Sequence, residues 1–159
     1  MSFQKKVSTD IAAGIAGQIA SLNPAVFDTN NFPAGENGVT AGLAVWIDAA
    51  NESYANAGTG KPLGIAIAEY AHANLDLAED SSMTIPAGDT VTVLKKGDIY
   101  VNCTTAATVG QKIFANTKDG TLKADAASAD TEGSDFVETD FAVVESGSVN
   151  SLILISNWS

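Results

Sequence analysis

The sequence has one histidine, His72, and one cysteine, Cys103, so any imidazole–thiol chemistry would have to be built from these two. A nucleophile of that kind needs the imidazole within hydrogen-bond reach and a carboxylate to orient it. No local signature surrounds either residue. Cys103 closes the run "IYVNC", in which Ile99, Val101 and Cys103 alternate with Tyr100 and Asn102. That is the period of a half-buried strand, and a small inert core thiol is the expected role. Zinc would find too few ligands. Hard cations favour grouped carboxylates, which occur in "LDLAEDSS" (Leu75–Ser82) and between Asp125 and Asp140. Neither group has the Asp-x-Asp-x-Asp-Gly spacing of a calcium loop, and both read as solvated acidic loops. The loop "GTGKP" (Gly58–Pro62) lacks the phosphate-loop pattern, because Ala55 stands where the leading Gly belongs and Pro62 where Ser or Thr belongs. No cofactor or metal is expected, and no enzyme. Trp46 and Trp158 are candidates for contact with another molecule, either lining a sugar-binding face or anchoring a protein interface.

Charge narrows the partners. The net charge is −11, all eight basic residues are Lys, and Arg is absent. Nucleic-acid binding draws most of its affinity from counterion release by a basic patch, so it is not expected here. No window approaches the ~18 apolar residues of a membrane-spanning helix, and no membrane partner is expected. The start, "MSFQKKVSTDIAAGIAGQIASL", resembles a secretory signal only loosely, since Asp10 and Gln18 interrupt it. A single cysteine leaves the fold to stand on packing, which suits folding in the cytoplasm.

The elements that would carry these residues are short. Residues 1–38 are rich in Ala, Gly, Asn and Pro and read as an arm. Ile11, Ile15 and Ile19 have helical spacing, but Gly14 and Gly17 each weaken a helix by roughly 1 kcal/mol, and an extended arm is favoured. Residues 39–159 read as a β domain. Gly42–Asp48 is a strand with Leu43, Val45 and Ile47 on one face and Ala44 and Trp46 on the other. A second strand is expected from Gly64 to Tyr70. "IPAGD" is a turn, with Gly88 supplying the positive φ of type II. The alternating runs Thr90–Leu94 and Ile99–Cys103, joined by "KKGD", predict a hairpin. "VGQKIFANTKDGTLKA" (Val109–Ala124) reads as strand, turn, strand. "DFAVVESGSVNSLILISNW" reads as a last hairpin whose final strand, Leu152–Ile155, is expected to be buried on both faces. Beyond the echo of Gly-Asp at 88–89 and 97–98, no repeat is apparent. The fold class is all-β: a small barrel or sandwich of short antiparallel strands with an extended N-terminal arm.

The order of these pieces resembles a known family. A Gly-x-x-x-Trp strand (Gly42, Trp46) leads to an Asn-x-Gly loop (Asn56, Gly58). A Pro-x-Gly-Asp turn (Pro86, Gly88, Asp89) opens a run with Gly97-Asp98 at its far side. Val109 to Lys112 then leads to an Asp-Gly turn (Asp119, Gly120), and Asn23-Pro24 sits in the arm. This resembles the structural cement, or capsid decoration, proteins of tailed bacteriophages, over most of residues 1–123. The stretch Ile65–Glu69 departs from the more polar, Arg-containing segment of relatives. The resemblance implies a non-enzymatic protein on the outer capsid surface of the virion, binding the major capsid protein and bridging its subunits. It also implies a homo-oligomer, a trimer being the expected state. The expected partner contacts are Phe3, Val7, Ile11 and Ile15 of the arm, with Trp46 and Trp158. The rival reading from the residues is a carbohydrate-binding or adhesion module using the two tryptophans.

Overall fold

The computed structural model describes residues 14–69, 83–129 and 134–158. Among them there is no helix. Twelve strands follow in chain order: β1 Val26–Phe27, β2 Val39–Thr40, β3 Ala44–Asp48, β4 Ser53–Ala55, β5 Gly64–Ala66, β6 Thr84–Ile85, β7 Val93–Lys96, β8 Asp98–Cys103, β9 Lys112–Asn116, β10 Leu122–Asp125, β11 Phe136–Val143 and β12 Ser151–Ser156. The last five form a closed barrel in the order β10-β8-β12-β11-β9. Alternation dictates its filling: Ile99, Val101 and Cys103 of β8, Ile113 and Ala115 of β9, Leu122 and Ala124 of β10, Phe141 and Val143 of β11, and Ile153 and Ile155 of β12 all point inward.

The other large sheet runs β1-β7-β5-β3-β4 and lies between two cores. Ala44, Trp46, Ile65 and Leu94 join the barrel core. Val45, Tyr54, Ala66 and Val93 face the opposite way, into a second core with Val39, Ile85 and Val91. Small residues let β3 and β5 be covered on both sides. The two-stranded β2–β6 ribbon contributes Val39 and Ile85 to the second core.

The segment before β2 is fastened to this body. Gly17 N donates to Tyr100 O, Tyr100 N to Gln18 O and Ala20 N to Asp98 O, at 2.8–2.9 Å, so residues 17–20 lie along β8. Gly17 has φ +87, and a Cβ there would stand 2.8 Å from Ala68 N, so only glycine fits. β1 pairs with β7, and Ala34 bridges Tyr54.

Several expectations need correction. Strand β3 begins at Ala44 rather than Gly42, and β5 ends at Ala66. The runs around Gly97 are both strands but do not pair: β7 bonds to β1 and β5, whereas β8 bonds to β12 and β10. Gly97, with φ +151, passes the chain from one sheet to the other. Alternation identifies a strand but not its neighbour. Strand β12 buries Ile153 and Ile155 only, and Leu152 and Leu154 are half-buried on the barrel exterior. By contrast, β9–β10 and β11–β12 are the antiparallel pairs expected, and Pro86–Asp89 is a turn closed by Asp89 N to Pro86 O, with Gly88 at φ +87.

A repeat does exist, in the backbone. The segments joining β8 to β9 and β11 to β12 are equivalent at a spacing of forty positions (103 and 143, 110 and 150). Gly110 N donates to Val143 O and Asn150 N to Cys103 O, while Ala107 and Gly147 exchange both of their bonds. Gly110 and Asn150 share positive φ, +89 and +56. The two arches clasp each other about a local two-fold axis. Few side chains are shared between them, so the sequence conceals the relation.

Candidate binding surfaces

The described residues that could do chemistry are occupied structurally. Cys103 is fully buried in the barrel, with its Sγ 3.6 Å from Thr105 Oγ1. His72 and the acidic stretch Leu75–Ser82 lie outside the described residues. Among the described residues, no three His, Cys, Asp or Glu side chains are grouped to hold a metal ion. The "GTGKP" loop is built as packing. Gly58 N donates to Thr117 O, Gly60 O accepts the Trp46 indole N–H at 2.9 Å, and Lys61 pairs with Asp140.

The predicted contact residues are scattered. Trp46 is only 5% exposed and belongs to the barrel core, with Gly58 against its ring. Its place in the contact set is corrected for that reason: the loop after β4 closes over the indole. Trp158 is exposed, with the Lys96 ammonium 4.2 Å from the ring centroid, a cation–π contact. Ile15 is exposed, and Phe3, Val7 and Ile11 lie outside the described residues.

Two groups of exposed apolar side chains were not predicted as sites. Val109 (62% exposed) and Val149 (59% exposed) crown the two clasped arches, with Val144 beside them. Leu22, Val26 and Phe27 are exposed near the start of β8, close to Lys96 and Trp158. The six residues of β8 and β12 separate these groups by about 20 Å, at ~3.3 Å per residue. The internal symmetry of the arches is the signal for the first group: positions 109 and 149 are equivalent at the spacing of forty and both are Val, but the spacing itself is read from the backbone bonds.

Two carboxylates hold the second group in place. Asp98 accepts from Ser21 Oγ at 2.5 Å and Asn23 Nδ2 at 2.7 Å, pinning the residues on either side of Leu22. Burial pushes the Asp98 carboxyl up, but hydrogen bonds from Ser156, Ser21 and Asn23 outweigh this and hold it below the usual range. Asp28, just after β1, accepts from Tyr54 Oη at 2.5 Å and faces Lys95 Nζ at 3.5 Å. Burial again opposes, yet the bonds from Tyr54 and Asn30 and the Lys95 charge leave Asp28 lowered. Burial and the Asp28 carboxylate push the Tyr54 hydroxyl up to about 12.

An all-β body that presents apolar surface at both ends of a barrel, with its candidate catalytic groups buried or paired where described, has the build of a structural component. The family model described as XM1 gp53 minor capsid protein matches residues 3–157. The chain belongs to that minor capsid protein family, which places it among the capsid-associated structural proteins of phage virions. In three dimensions it is similar to a chain in the structure titled "The capsid of Myoviridae Phage XM1", with a TM-score of 0.67 and 18% identity, covering 99% of this chain and 98% of that one. At that identity the likeness shows the fold. A comparison with curated proteins gives no match.

Proposed function

We propose that this chain is a decoration, or cement, protein that binds the outer surface of the major capsid protein shell and stabilises the head by bridging neighbouring subunits. One observation carries the reading: a rigid barrel presents separate exposed apolar groups at its opposite ends, Val109 with Val149 and Leu22 with Val26 and Trp158. A molecule with two such ends can touch two neighbours at once, and modest contacts multiply across a lattice. The role needs no bond made or broken, and no catalytic group is assigned. The N-terminal part of the 1–38 segment acts as the partner-contacting arm, with Phe3, Val7, Ile11 and Ile15 as its apolar contacts, while the part from Gly17 onward, bonded to β8 and β7, joins residues 39–159 in the stiff body. The absence of Arg and the charge of −11 favour a position outside the shell, away from packaged DNA. Folding in the host cytoplasm and assembly as a homo-oligomer, with a trimer as the working state, complete the reading.

Retention on purified expanded capsids, measured by gel densitometry after washing, tests it. The paired variants Val109→Asp/Val149→Asp and Val26→Asp/Trp158→Asp should each lose retention while keeping the circular dichroism of the parent. Deleting residues 2–13 should also lower it, and this truncation spares the bonds of residues 17–20 to β8. Full occupancy by both paired variants would remove the bridging mechanism.

A further inference from the structure

The dipeptide Asn-Gly occurs once in the chain, at Asn37-Gly38, in the loop that leads into β2. Such a pair can modify itself. The backbone nitrogen of the second residue attacks the side-chain carbonyl carbon of the first, and glycine puts no side chain in the way. Asn37 is exposed, and no hydrogen bond ties its side chain to another described residue. One bond restrains the attacking nitrogen: Gly38 N donates to Gly35 O at 2.8 Å, closing a surface turn. Several other asparagines are held. Asn56 Oδ1 accepts from Thr40 N at 2.7 Å while its Nδ2 donates to Ala44 O at 3.0 Å, and Asn51 Nδ2 donates to Asp48 at 2.7 Å. Asp119-Gly120 could close the same ring, but Asp119 Oδ1 accepts from Thr121 N and Thr121 Oγ1, and an ionised carboxylate resists attack. Asn150 is exposed, but the side chain of Ser151 follows it.

We propose that Asn37 is a site of self-modification: opening of the Gly35–Gly38 turn frees Gly38 N to attack Asn37 Cγ, and the carboxamide ends as a carboxylate. The N–H proton passes to base, the N–Cγ bond forms, the Cγ–Nδ2 bond breaks, and Nδ2 leaves as ammonia. Water then opens the resulting cyclic imide. Cleavage of the new N–Cγ bond leaves ordinary aspartate. Cleavage of the original peptide bond leaves isoaspartate, whose backbone runs through the side chain and is one carbon longer. The two products differ in consequence. Aspartate adds a negative charge beside Glu36 on an exposed turn and leaves the fold intact. Isoaspartate lengthens the chain immediately before β2, where there is no slack. A Cβ on Gly38 would stand 2.7 Å from Ile85 O, Val39 is fully buried and paired with Ile85, and Thr40 N is fixed to Asn56 Oδ1. The strain falls on the β2–β6 ribbon and on the second core that it lines.

Capsid binding plays no part in the test, which uses the full chain alone. Held at mildly alkaline pH, the protein should accumulate a more acidic species on ion exchange, with ammonia released in equal amount. Peptide mass spectrometry should map the change to Asn37. The folded chain should react about two- to tenfold more slowly than the chain in guanidinium chloride, the factor that one backbone hydrogen bond supplies. Asn37→Gln keeps the amide but needs a larger ring, so it should keep the melting temperature and lose the first acidic species. Asn37→Asp should melt with the parent, and the isolated isoaspartate form should melt below both. Three results would each overturn the proposal: an Asn37 that stays intact in the folded chain while the denatured chain converts, an acidic species formed at the parent rate by Asn37→Gln, or a first change that maps to another asparagine. An isoaspartate form as stable as the parent would overturn the consequence drawn for β2.

Discussion

Asp98 and Asp28 connect local chemistry to the shape of the binding surfaces. Both carboxyls are held below their ordinary range in the folded chain. At acid pH the unfolded chain therefore binds protons more readily, so stability rises with pH there. The contribution is fully present above about pH 4, the unfolded carboxyl value, and is lost as pH falls through the folded values. The urea midpoint should be flat near neutrality and fall below about pH 4. Asp98→Asn should lower stability at pH 7 by about 1.5–3 kcal/mol, the range for hydrogen bonds to a charged group, and should flatten the acid limb. An unchanged midpoint at pH 7 would show that Ser21 and Asn23 are held by something else. Tyr54 acts on the alkaline side. Its raised value gives stability that is present below pH 10 and lost as pH rises through about 12. Tyr54→Phe should remove that alkaline slope in a pH series of denaturation curves.

At the scale of elements, the turn after β4 shows how one small residue sets the place of a large one. A Cβ on Gly58 would come within 2.3 Å of Trp46 Cγ. Gly58→Ala should therefore displace the indole, break its bond to Gly60 O and cost about 1–3 kcal/mol through overpacking. A shifted Trp emission maximum with a lowered melting temperature would report it, and an unchanged spectrum would mean that the loop swings aside freely. Much at this scale was legible in the sequence. The Pro86–Asp89 turn, the β9–β10 pair and the β11–β12 pair follow from glycine placement and period-two alternation. The β7–β8 hairpin did not materialise, because Val93 and Ile99 each satisfy alternation against any neighbour of the right shape. Trp46 was a candidate contact because an aromatic reads alike in a core and on a surface until its cover is known.

Across the whole molecule, the two cores share their walls. Leu94 and Val93 are adjacent in β7 yet enter different clusters, as do Ala44 and Val45 in β3. Neither core can lose its lining without opening the other. Unfolding in urea should then be one transition, with the fluorescence of a Trp158→Phe variant, which reports Trp46 in the barrel core, coinciding with the Tyr absorbance of a Tyr70→Phe/Tyr100→Phe variant, which reports Tyr54 in the second core. Two separated transitions would refute this coupling. The same sharing supports the proposed role, because a body that does not flex between its ends can transmit load from one neighbour to the other.

The amino-acid sequence by itself determined the all-β class, the short strands, the turn chemistry and the acidic, Arg-free character, because these depend on side-chain period, backbone permissiveness and composition. It was also enough for the family resemblance, since the order of turns and strands survives in the residues. Only the tertiary structure decided which strands pair, that β3 and β5 are covered on both faces, and that the two arches clasp about a local two-fold axis. These depend on contacts between residues far apart in the chain. Such contacts are made by backbone groups, which every sequence carries alike, and by volumes that many residue choices can fill.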